Sequence, residues 1–423
     1  MLKFTIDAKI PGGRGRAGTI ETPHGTIETP AFIPVGTKAT LKSLTPEQVR
    51  ALGADAILAN TYHLYLQPGP EILKKAGGLH KFMNWSRPTF TDSGGFQAFS
   101  LGAAWGKGIS KLADEKKDAS KQVDVVVSEM QESSGVGKYS SKGLKNTSPK
   151  LSESEEVGMM AKLDDDGVTF KSIIDGSTHR FTPESSVDIQ HNIGADIIFA
   201  FDECISPHES YERQKEAIER TRLWAERCLS YHTSKNTEQA LFGIVQGGRY
   251  EDLRKKSAEN IGAMNFDGFG IGGSFDKDDI GIAVGWVVDN LTENKPRHLL
   301  GIGSEPIDLI LGIENGIDTF DCVAPTRIAR NGSAYTKLGR INLVNAQFVN
   351  DFTPIDSTCG CYTCTNYTRA YVAHLFRAKE MLAATLTSIH NLYFVVNLVK
   401  RARKAIVEGK WEEYKKKFLI TNS

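Results

Sequence analysis

The sequence lacks most features that would place it outside the class of globular enzymes. It has no excess of one charge, since 51 Lys and Arg residues balance 51 Asp and Glu residues. A strongly cationic protein is therefore excluded, and any contact with nucleic acid must come from a local basic patch. No apolar run approaches the length of a membrane helix, and the segment after Met1 lacks the apolar core of a signal peptide. A cytoplasmic protein with no membrane partner is expected.

Cysteine is also scarce. There are six cysteines in 423 residues, and three of them fall within residues 359–364. In a reducing compartment this clustering favours a metal site over disulfides. Three thiolates with one imidazole are a typical zinc set. His374 and His390 both follow the cluster, and the spacing alone leaves the choice between them open.

Short apolar runs that end in polar or glycine residues recur along the chain, with helical patterns such as 210–231 and 253–264 between them. The runs are residues 31–35, 55–60, 88–92, 196–202, 241–246, 268–272, 298–301 and 319–321. About eight buried parallel strands is the number that closes a (β/α)8 TIM barrel, an α/β fold. An open doubly wound sheet is the alternative.

The flanking regions differ from the barrel pattern. Residues 1–30 carry the repeat Thr-Ile-Glu-Thr-Pro at 19–23 and 26–30, which predicts an N-terminal antiparallel sheet. The barrel is expected at 31–340, interrupted at about 102–163 by a polar insertion that exceeds the usual loop length. We expect this insertion to be a solvated, largely disordered segment and not an ordered lid. Residues 341–423 should form a zinc-binding subdomain and C-terminal helices.

The barrel prediction has a consequence for chemistry, because the carboxyl ends of barrel strands converge on one face. Asp92, Asp202, Gln246 and Asp321 all lie at such ends. Two carboxylates on one face, Asp92 and Asp321, suggest glycosidic-bond chemistry in which one attacks and the other transfers protons. A barrel glycoside hydrolase has such a pair too, so this inference stops at the reaction class.

Other strand-end residues indicate a pocket for a flat base. Gly94 and Gly95 allow close approach of the backbone to a ligand, and Phe96 could stack on a ring. Asp202 can only accept hydrogen bonds when ionised, whereas the Gln246 amide donates and accepts. A purine with a ring N–H, an exocyclic amine and a carbonyl satisfies both. Guanine fits this pattern and adenine does not.

An ordered set of motifs gives the sequence its family resemblance. They are Asp-Ser-Gly-Gly-Phe-Gln at 92–97, Phe-Asp-Glu-Cys at 201–204, Gly-Ile-Val-Gln-Gly-Gly at 243–248, Gly-Gly at 272–273, Phe-Asp-Cys-Val-Ala-Pro-Thr-Arg at 320–327 with Arg-Asn-Gly at 330–332, and Cys-Gly-Cys-Tyr-Thr-Cys at 359–364. In this order they resemble the bacterial type of tRNA-guanine transglycosylase. The resemblance runs along the whole chain apart from the insertion.

The resemblance implies a pentosyltransferase of queuosine biosynthesis, which exchanges guanine at the anticodon wobble position for a 7-deazaguanine. Asp321 would be the nucleophile that forms a covalent RNA intermediate, and Asp92 the general acid and base. The base-binding residues would be Asp92, Ser93, Gly94, Gly95, Phe96, Asp202, Gln246 and Gly273, with Leu300 against the base.

The resemblance also implies an RNA surface, a metal site and a partner. The RNA contacts would come from Ile302, Gly303, Ser304, Glu305, Pro306, Ile307 and Asp308, and from Thr326, Arg327, Ile328, Ala329 and Arg330. One structural zinc ion would be held by Cys359, Cys361, Cys364 and His390. The partners would be a tRNA with a guanosine wobble base, the 7-deazaguanine, and a second copy of the chain in a homodimer.

Two questions stay open at this level. Residues 274–276 are Ser-Phe-Asp where the bacterial family usually has Leu-Ala-Val, so the incorporated base is in doubt, and Cys204 favours 7-aminomethyl-7-deazaguanine over queuine. The chain could also be a noncatalytic tRNA-binding partner subunit of such an enzyme. The presence of both Asp92 and Asp321 argues against that alternative, because a binding subunit needs neither.

Overall fold

The computed structural model describes residues 2–100, 161–172, 174–272 and 280–422. Most of the expected insertion at 102–163 lies outside these ranges, as do Gly273 and residues 274–276. The strands are β1 (Lys3–Lys9), β2 (Arg16–Thr22), β3 (Gly25–Thr29), β4 (Ala31–Pro34), β5 (Ile57–Ala59), β6 (Thr89–Thr91), β7 (Ala161–Leu163), β8 (Val168–Lys171), β9 (Thr178–Phe181), β10 (Ile197–Phe199), β11 (Ala240–Val245), β12 (Gly268–Ile271), β13 (Arg297–Leu299), β14 (Thr319–Cys322), β15 (Ser333–Thr336) and β16 (Gly339–Asn342).

The helices of the described ranges lie mainly between the barrel strands and after them. They are α1 (Pro46–Ala51), α2 (Thr61–Leu66), α3 (Pro70–Lys75), α4 (Leu79–Met83), α5 (Gly95–Ser100), α6 (Pro183–Ile193), α7 (Tyr211–Ser234), α8 (Glu251–Gly262), α9 (Ile280–Val288), α10 (Pro306–Glu314), α11 (Ala324–Arg330), α12 (Tyr362–Asn366), α13 (Arg369–Arg377), α14 (Met381–Val407) and α15 (Trp411–Asn422), with a short 3-10 helix at Ala346–Phe348. The two helices predicted from sequence correspond to α7 and α8.

The central sheet has eight parallel strands in the order β4-β14-β13-β12-β11-β10-β6-β5. A parallel bridge between Val35 and Leu58 joins the first strand of this order to the last, and the Gly36 N–H donates to the Leu58 carbonyl at 2.7 Å. The sheet is therefore closed, and the predicted (β/α)8 barrel is confirmed. Each of the eight predicted apolar runs overlaps one of its strands, and five of the runs contain the whole strand.

The N-terminal sheet is also confirmed, since β1, β2 and β3 pair antiparallel. Arg16 at the start of β2 makes a bidentate ion pair with Asp318, with N–O distances of 2.9 and 2.7 Å and both side chains almost fully buried. Arg403 of α14 donates to the carbonyls of Gly18 and Thr29 at 2.8 and 2.7 Å. The sheet is thus attached both to the barrel and to the C-terminal region.

A small sheet precedes the fourth barrel strand. In it β7, β8 and β9 pair antiparallel. Residues 161–163, which were expected at the end of the insertion, form its edge strand β7. This sheet packs Phe170 against Tyr62 and Phe181 against Tyr65, two tyrosines of the helix that follows the second barrel strand.

The helix α14 is the exception to the expectation that no segment has the length and apolarity of a membrane span. Its 27 residues reach that length and apolarity, and 72% of the residues in its most apolar window are buried. It packs on α11, β15 and the first barrel strand. The helix is therefore a core element and one of the C-terminal helices that the sequence predicts. Its long apolar stretch was not expected, because polar residues are scattered among the apolar ones.

Candidate active site and metal centre

A buried group of hydrogen-bonding side chains lies at the carboxyl ends of β10 and β11. Asp202 accepts a hydrogen bond from Gln246 Nε2 at 2.6 Å and one from Ser93 Oγ at 3.2 Å. All three residues are at most 6% exposed. The Gln246 backbone N–H donates in turn to Ser257 of α8 at 3.1 Å, which fixes the end of β11. This places a carboxylate and an amide side by side, with their polar atoms facing a cleft.

Asp92 follows the third barrel strand and is held by residues of the second. Its Oδ1 accepts from the backbone N–H groups of Thr61 at 2.8 Å and Gly94 at 3.2 Å, and its Oδ2 accepts from the Asn60 side chain. Asn60 itself also accepts from the His63 N–H and so caps the helix α2. The carboxylate therefore has a fixed orientation at the barrel end.

Asp321 lies on the last barrel strand and is positioned by its neighbour β13. Its Oδ1 accepts from the Gly301 N–H at 2.7 Å and contacts His298 Nε2 at 3.1 Å. His298 is fully buried, and its Nδ1 lies 2.9 Å from the Thr319 hydroxyl. When Thr319 donates to Nδ1, the Nε2–H donates to Asp321. His298 and the Gly301 N–H therefore fix the orientation of this carboxylate. The side chain of Asp321 is 12% exposed, so the carboxylate is accessible from the barrel end.

One cleft brings most of these residues together. It is lined by Asp92, Ser93, Gly94, Phe96, Gln97, Phe199, Asp202, Cys204, Ile244, Gln246, Gly272 and Leu300. Asp321 adjoins this lining through Gly301, the residue next to Leu300. Gly95 begins α5 and donates its N–H to Ser93 Oγ at 3.3 Å. The structure thus gathers the predicted base-binding residues that it describes at one end of the barrel.

Two glycines are needed for this cleft to exist. Gly94 has φ of +75°, and a Cβ atom there would lie 3.0 Å from Phe181. A Cβ atom on Gly272 would lie 2.6 Å from Gln246 Nε2. Any side chain at Gly272 would therefore displace the amide that pairs with Asp202.

A buried arginine supports the floor of the cleft. Arg254 of α8 is fully buried and donates to the carbonyls of Gly248 and Gly272 at 2.8 and 2.7 Å. Burial lowers the pKa of Arg254 to about 9, which still leaves it protonated at neutral pH. It therefore joins the ends of β11 and β12 with two charge-assisted hydrogen bonds.

The two segments predicted to contact RNA flank Asp321 along the chain. The first, residues 302–308, follows Gly301 and extends into the first turn of α10, where Asp308 accepts from the Glu305 N–H at 3.0 Å. The second lies within α11. The partly exposed side chains are Ser304, Glu305, Pro306, Ile307, Arg327, Ile328 and Arg330, whereas Ile302, Gly303, Asp308, Thr326 and Ala329 are buried. Only the partly exposed side chains can contact a molecule that binds at the protein surface.

The predicted metal ligands converge in the C-terminal region. The Nδ1 atom of His390 lies 3.7, 3.5 and 3.2 Å from the sulfur atoms of Cys359, Cys361 and Cys364. All four ligand atoms lie within 4.8 Å of one another. His390 Nε2 donates to the Tyr335 carbonyl at 2.6 Å, which leaves Nδ1 free of its proton and able to bind a cation. This Cys3His group fits a metal ion, whereas His374 is exposed on α13 and does not belong to it.

A second group with metal-ligand chemistry lies at the other end of the barrel. The imidazoles of His24 and His80 contact Asp196 at 2.7 and 2.9 Å. The two rings are stacked, with centroids 3.6 Å apart, so their lone pairs run parallel and do not point at one ion. The Thr89 N–H also donates to Asp196 at 2.8 Å. These hydrogen bonds account for the group without a metal.

The sequence prediction missed the residues that orient the reactive carboxylates. Asn60 ends the run at 55–60 and His298 begins the run at 298–301, but neither received a role. Asn60 could have been found, because it occupies the same strand-end position as Asp92. His298 and Arg254 carry no such signal, since each acts from inside the fold on a residue distant in sequence.

Carboxylate and amide side chains gathered at the carboxyl end of a closed parallel barrel, beside a narrow cleft, are typical of a barrel enzyme. The sequence family described as queuine tRNA-ribosyltransferase matches residues 12–133 and 141–423. The chain belongs to this family, as its ordered motifs predict, and the assignment to the pentosyltransferases is confirmed with it.

Individual relatives agree over nearly the full length. The queuine tRNA-ribosyltransferase of Thermoanaerobacter sp. (strain X514) is 46% identical over 421 residues, which cover 99% of this chain and 96% of the relative. Those of Caldanaerobacter subterraneus subsp. tengcongensis and Streptococcus gordonii are each 44% identical, over 99% of this chain and 97% and 96% of the relatives.

Proposed function

We propose that this protein exchanges guanine at the wobble position of tRNA for a 7-deazaguanine, with Asp321 forming a covalent bond to the ribose. The observation that carries the proposal is the pairing of Asp202 with Gln246 at 2.6 Å in a cleft beside Asp321. A carboxylate can accept from the ring N–H and the amine of guanine, while the amide N–H can donate to its carbonyl. Adenine offers the opposite polarity at this edge.

The proposed reaction has two displacements at the same carbon. Asp321 attacks C1′ of the ribose, the C1′–N bond to guanine breaks, and guanine leaves with the bonding electron pair and a proton supplied by Asp92. Asp92 then takes a proton from the incoming base, whose nitrogen attacks C1′ and displaces the Asp321 carboxylate. One glycosidic bond replaces another, so the exchange needs no nucleotide cofactor.

For the incoming base we propose 7-aminomethyl-7-deazaguanine in preference to queuine. The support is Cys204, which is the residue expected of bacterial members and which lines the cleft in a buried position.

The reaction is tested by release of labelled guanine from a tRNA with a guanosine wobble base. The two candidate bases are supplied separately to the purified protein. Exchange with a faster rate for 7-aminomethyl-7-deazaguanine is expected. Faster exchange with queuine would overturn the base preference alone. Tight tRNA binding without exchange of either base would establish the alternative, a noncatalytic partner subunit.

The base-binding pair gives a prediction of its own. Changing Gln246→Glu should raise KM for the incoming base by about 5- to 150-fold, because an unmatched buried polar group costs about 1–3 kcal/mol. It would also set two carboxyl groups against each other where a 2.6 Å hydrogen bond now exists. The measurement is exchange at varied base concentration.

The control for this prediction is Gln48→Glu. Gln48 lies in the capping box of α1, where its side-chain oxygen accepts from the Thr45 N–H, and a glutamate can make the same bond. An unchanged KM for the base in the Gln246 variant would remove this residue from the base-binding set.

For RNA recognition we propose the partly exposed side chains of the two segments, with Arg327 and Arg330 facing phosphates. Their position on α11, directly after the strand that carries Asp321, supports this assignment. For the metal we propose one structural zinc ion. Four protein ligands complete a tetrahedral site and leave no position for substrate, so the ion would stabilise the C-terminal subdomain without entering the reaction.

We further propose that the enzyme is a cytoplasmic homodimer, and that the C-terminal subdomain supplies the interface. Three apolar side chains of this subdomain and of the β15–β16 hairpin that leads into it are strongly exposed: Leu338 at 87%, Phe352 at 74% and Met381 at 88%. Tyr367 and Tyr371 add a stacked aromatic pair on the same subdomain. Apolar surface of this kind is typical of a protein interface, and a second copy of the chain is the partner we propose.

The dimer is tested by sedimentation. The double change Leu338→Asp and Phe352→Asp should shift the protein from dimer to monomer at micromolar concentration, because it places charges in an apolar interface. Ile72→Asp is the control, since Ile72 is 51% exposed on α3. A wild type that sediments as a monomer, or a double variant that remains dimeric, would contradict the proposal.

A further inference from the structure

The metal ligand His390 and its neighbour Asn391 both contact the strand β15. His390 Nε2 donates to the Tyr335 carbonyl at 2.6 Å. Asn391 accepts from the Tyr335 N–H at 3.1 Å, so both backbone groups of one residue are bound by two consecutive side chains of α14. Both of these side chains are fully buried. The backbone of Tyr335 is therefore fixed relative to the metal centre.

From there the contacts continue to the two segments proposed to bind RNA. The Tyr335 hydroxyl donates to the Ser304 carbonyl at 2.7 Å. Asn391 Nδ2 donates to the carbonyls of Pro325 and Ser333, both at 3.0 Å. Ser304 belongs to the first RNA segment and Pro325 to the first turn of α11, which carries the second. The same few buried side chains thus hold both segments.

The chemistry of these bonds suits a rigid connection. Tyr335 is a buried side chain. Its ring stacks on Phe394, with centroids 5.7 Å apart. Arg340 adds an ion pair to Glu305 at 3.2 Å from the adjoining strand β16. A backbone carbonyl held this way cannot move without leaving a buried group unpaired.

We propose that Tyr335 and Asn391 are positioning residues that carry the geometry of the metal centre to the two RNA segments and set their spacing. The inference rests on the proposed function, because it takes those segments as the RNA-contact surface. On this proposal the metal centre has a second role besides stabilising the fold, which is to align the tRNA over Asp321. Neither residue touches the reacting atoms.

The decisive variant is Tyr335→Phe, which removes one hydroxyl and keeps the ring. Affinity for an anticodon stem-loop with a guanosine wobble base should fall about fivefold, the effect of losing one neutral hydrogen bond on an equilibrium. KM for the incoming base and the bound zinc content should stay at wild-type values. Amide hydrogen exchange should become faster at residues 302–305 and stay unchanged in the barrel strands, whereas a change in stability spread over the whole protein would speed exchange throughout.

Tyr414→Phe is the matched control. Tyr414 is also a largely buried tyrosine whose hydroxyl donates to a backbone carbonyl, that of Leu398 at 3.0 Å, but it lies on α15 away from the RNA segments. Its stem-loop affinity should equal that of the wild type. Equal losses in the two variants, or unchanged affinity and exchange protection in Tyr335→Phe, would overturn the inference.

A second variant tests the contacts that Asn391 makes with the carbonyls of Pro325 and Ser333. The activity of the wild type distinguishes a failure of this inference from a failure of the proposed function. Asn391→Ala should weaken stem-loop binding by at least the same factor in preparations that retain zinc and a cooperative thermal transition. Wild-type affinity in such a preparation would count against the proposal. If the wild type exchanges no base, the proposed function fails first. If the wild type exchanges the base and the Tyr335 and Asn391 variants bind the stem-loop as tightly as the wild type does, this inference alone fails.

Discussion

Base exchange should be lost when Asp321 is changed to asparagine. The amide side chain can still accept from the Gly301 N–H, as the carboxylate does at 2.7 Å, so the fold and the tRNA affinity should remain. It cannot act as the nucleophile, and a fall in kcat of at least about 10⁴-fold is expected from removal of such a group. The measurement is guanine release under saturating tRNA.

The same variant tests the covalent intermediate directly. Wild-type protein incubated with tRNA in the absence of a second base should give an RNA adduct that survives denaturing electrophoresis, and Asp321→Asn should give none. Asp289→Asn serves as control, because Asp289 is a surface residue that pairs with Arg14. Residual exchange within tenfold of the wild type would assign the attack to another group.

Removal of the metal ion should have the second largest effect. Changing His390→Ala deletes one ligand and the hydrogen bond to Tyr335, and it leaves three thiols without their cation. Binding of structural zinc contributes on the order of 10 kcal/mol to folding, more than the whole stability of many domains. We expect the C-terminal subdomain to unfold, together with its core of Ala334, Leu343, Ile355, Val372, Leu375, Ala383 and Leu386.

The timing of this loss distinguishes a structural ion from a catalytic one. During chelation of the wild type, base exchange and hydrogen-exchange protection of α13 and α14 should disappear together. Exchange activity that stops while protection persists would mean that the ion takes part in the reaction. His374→Ala is the control for the ligand assignment, since that side chain is exposed on α13, and it should keep both metal and activity.

The barrel could be predicted from the sequence because its signals are local. Each strand is a short apolar run buried on both faces, and the side chains that follow it are the ones exposed at the barrel end. Asp92, Asp202, Gln246 and Asp321 could be located by this rule alone. Their hydrogen-bonding chemistry also predicted a pocket for a flat base such as guanine. The assignment of Asp321 as nucleophile and the choice of His390 came from the resemblance to a family, which the spacing of the residues did not supply.

What escaped prediction depends on contacts between distant parts of the chain. Arg16 pairs with Asp318 across 302 positions, and His298 reaches Asp321 from a neighbouring strand. Nothing adjacent to either residue in the sequence marks such a partner. Helices were predicted in the region of α14, but its long apolar stretch was not, because polar residues are scattered among its apolar ones.

The closed order of the barrel also constrains when the protein can fold during synthesis. The first barrel strand pairs with the last, through Phe32 and Phe320 among others, and the N-terminal sheet receives two hydrogen bonds from Arg403. Neither end can reach its native partners until most of the chain has left the ribosome. Until then, the edge of the first barrel strand that pairs with residues 319–322 remains unpaired. Ribosome-bound intermediates truncated before residue 319 should therefore depend on chaperones that shield exposed strands.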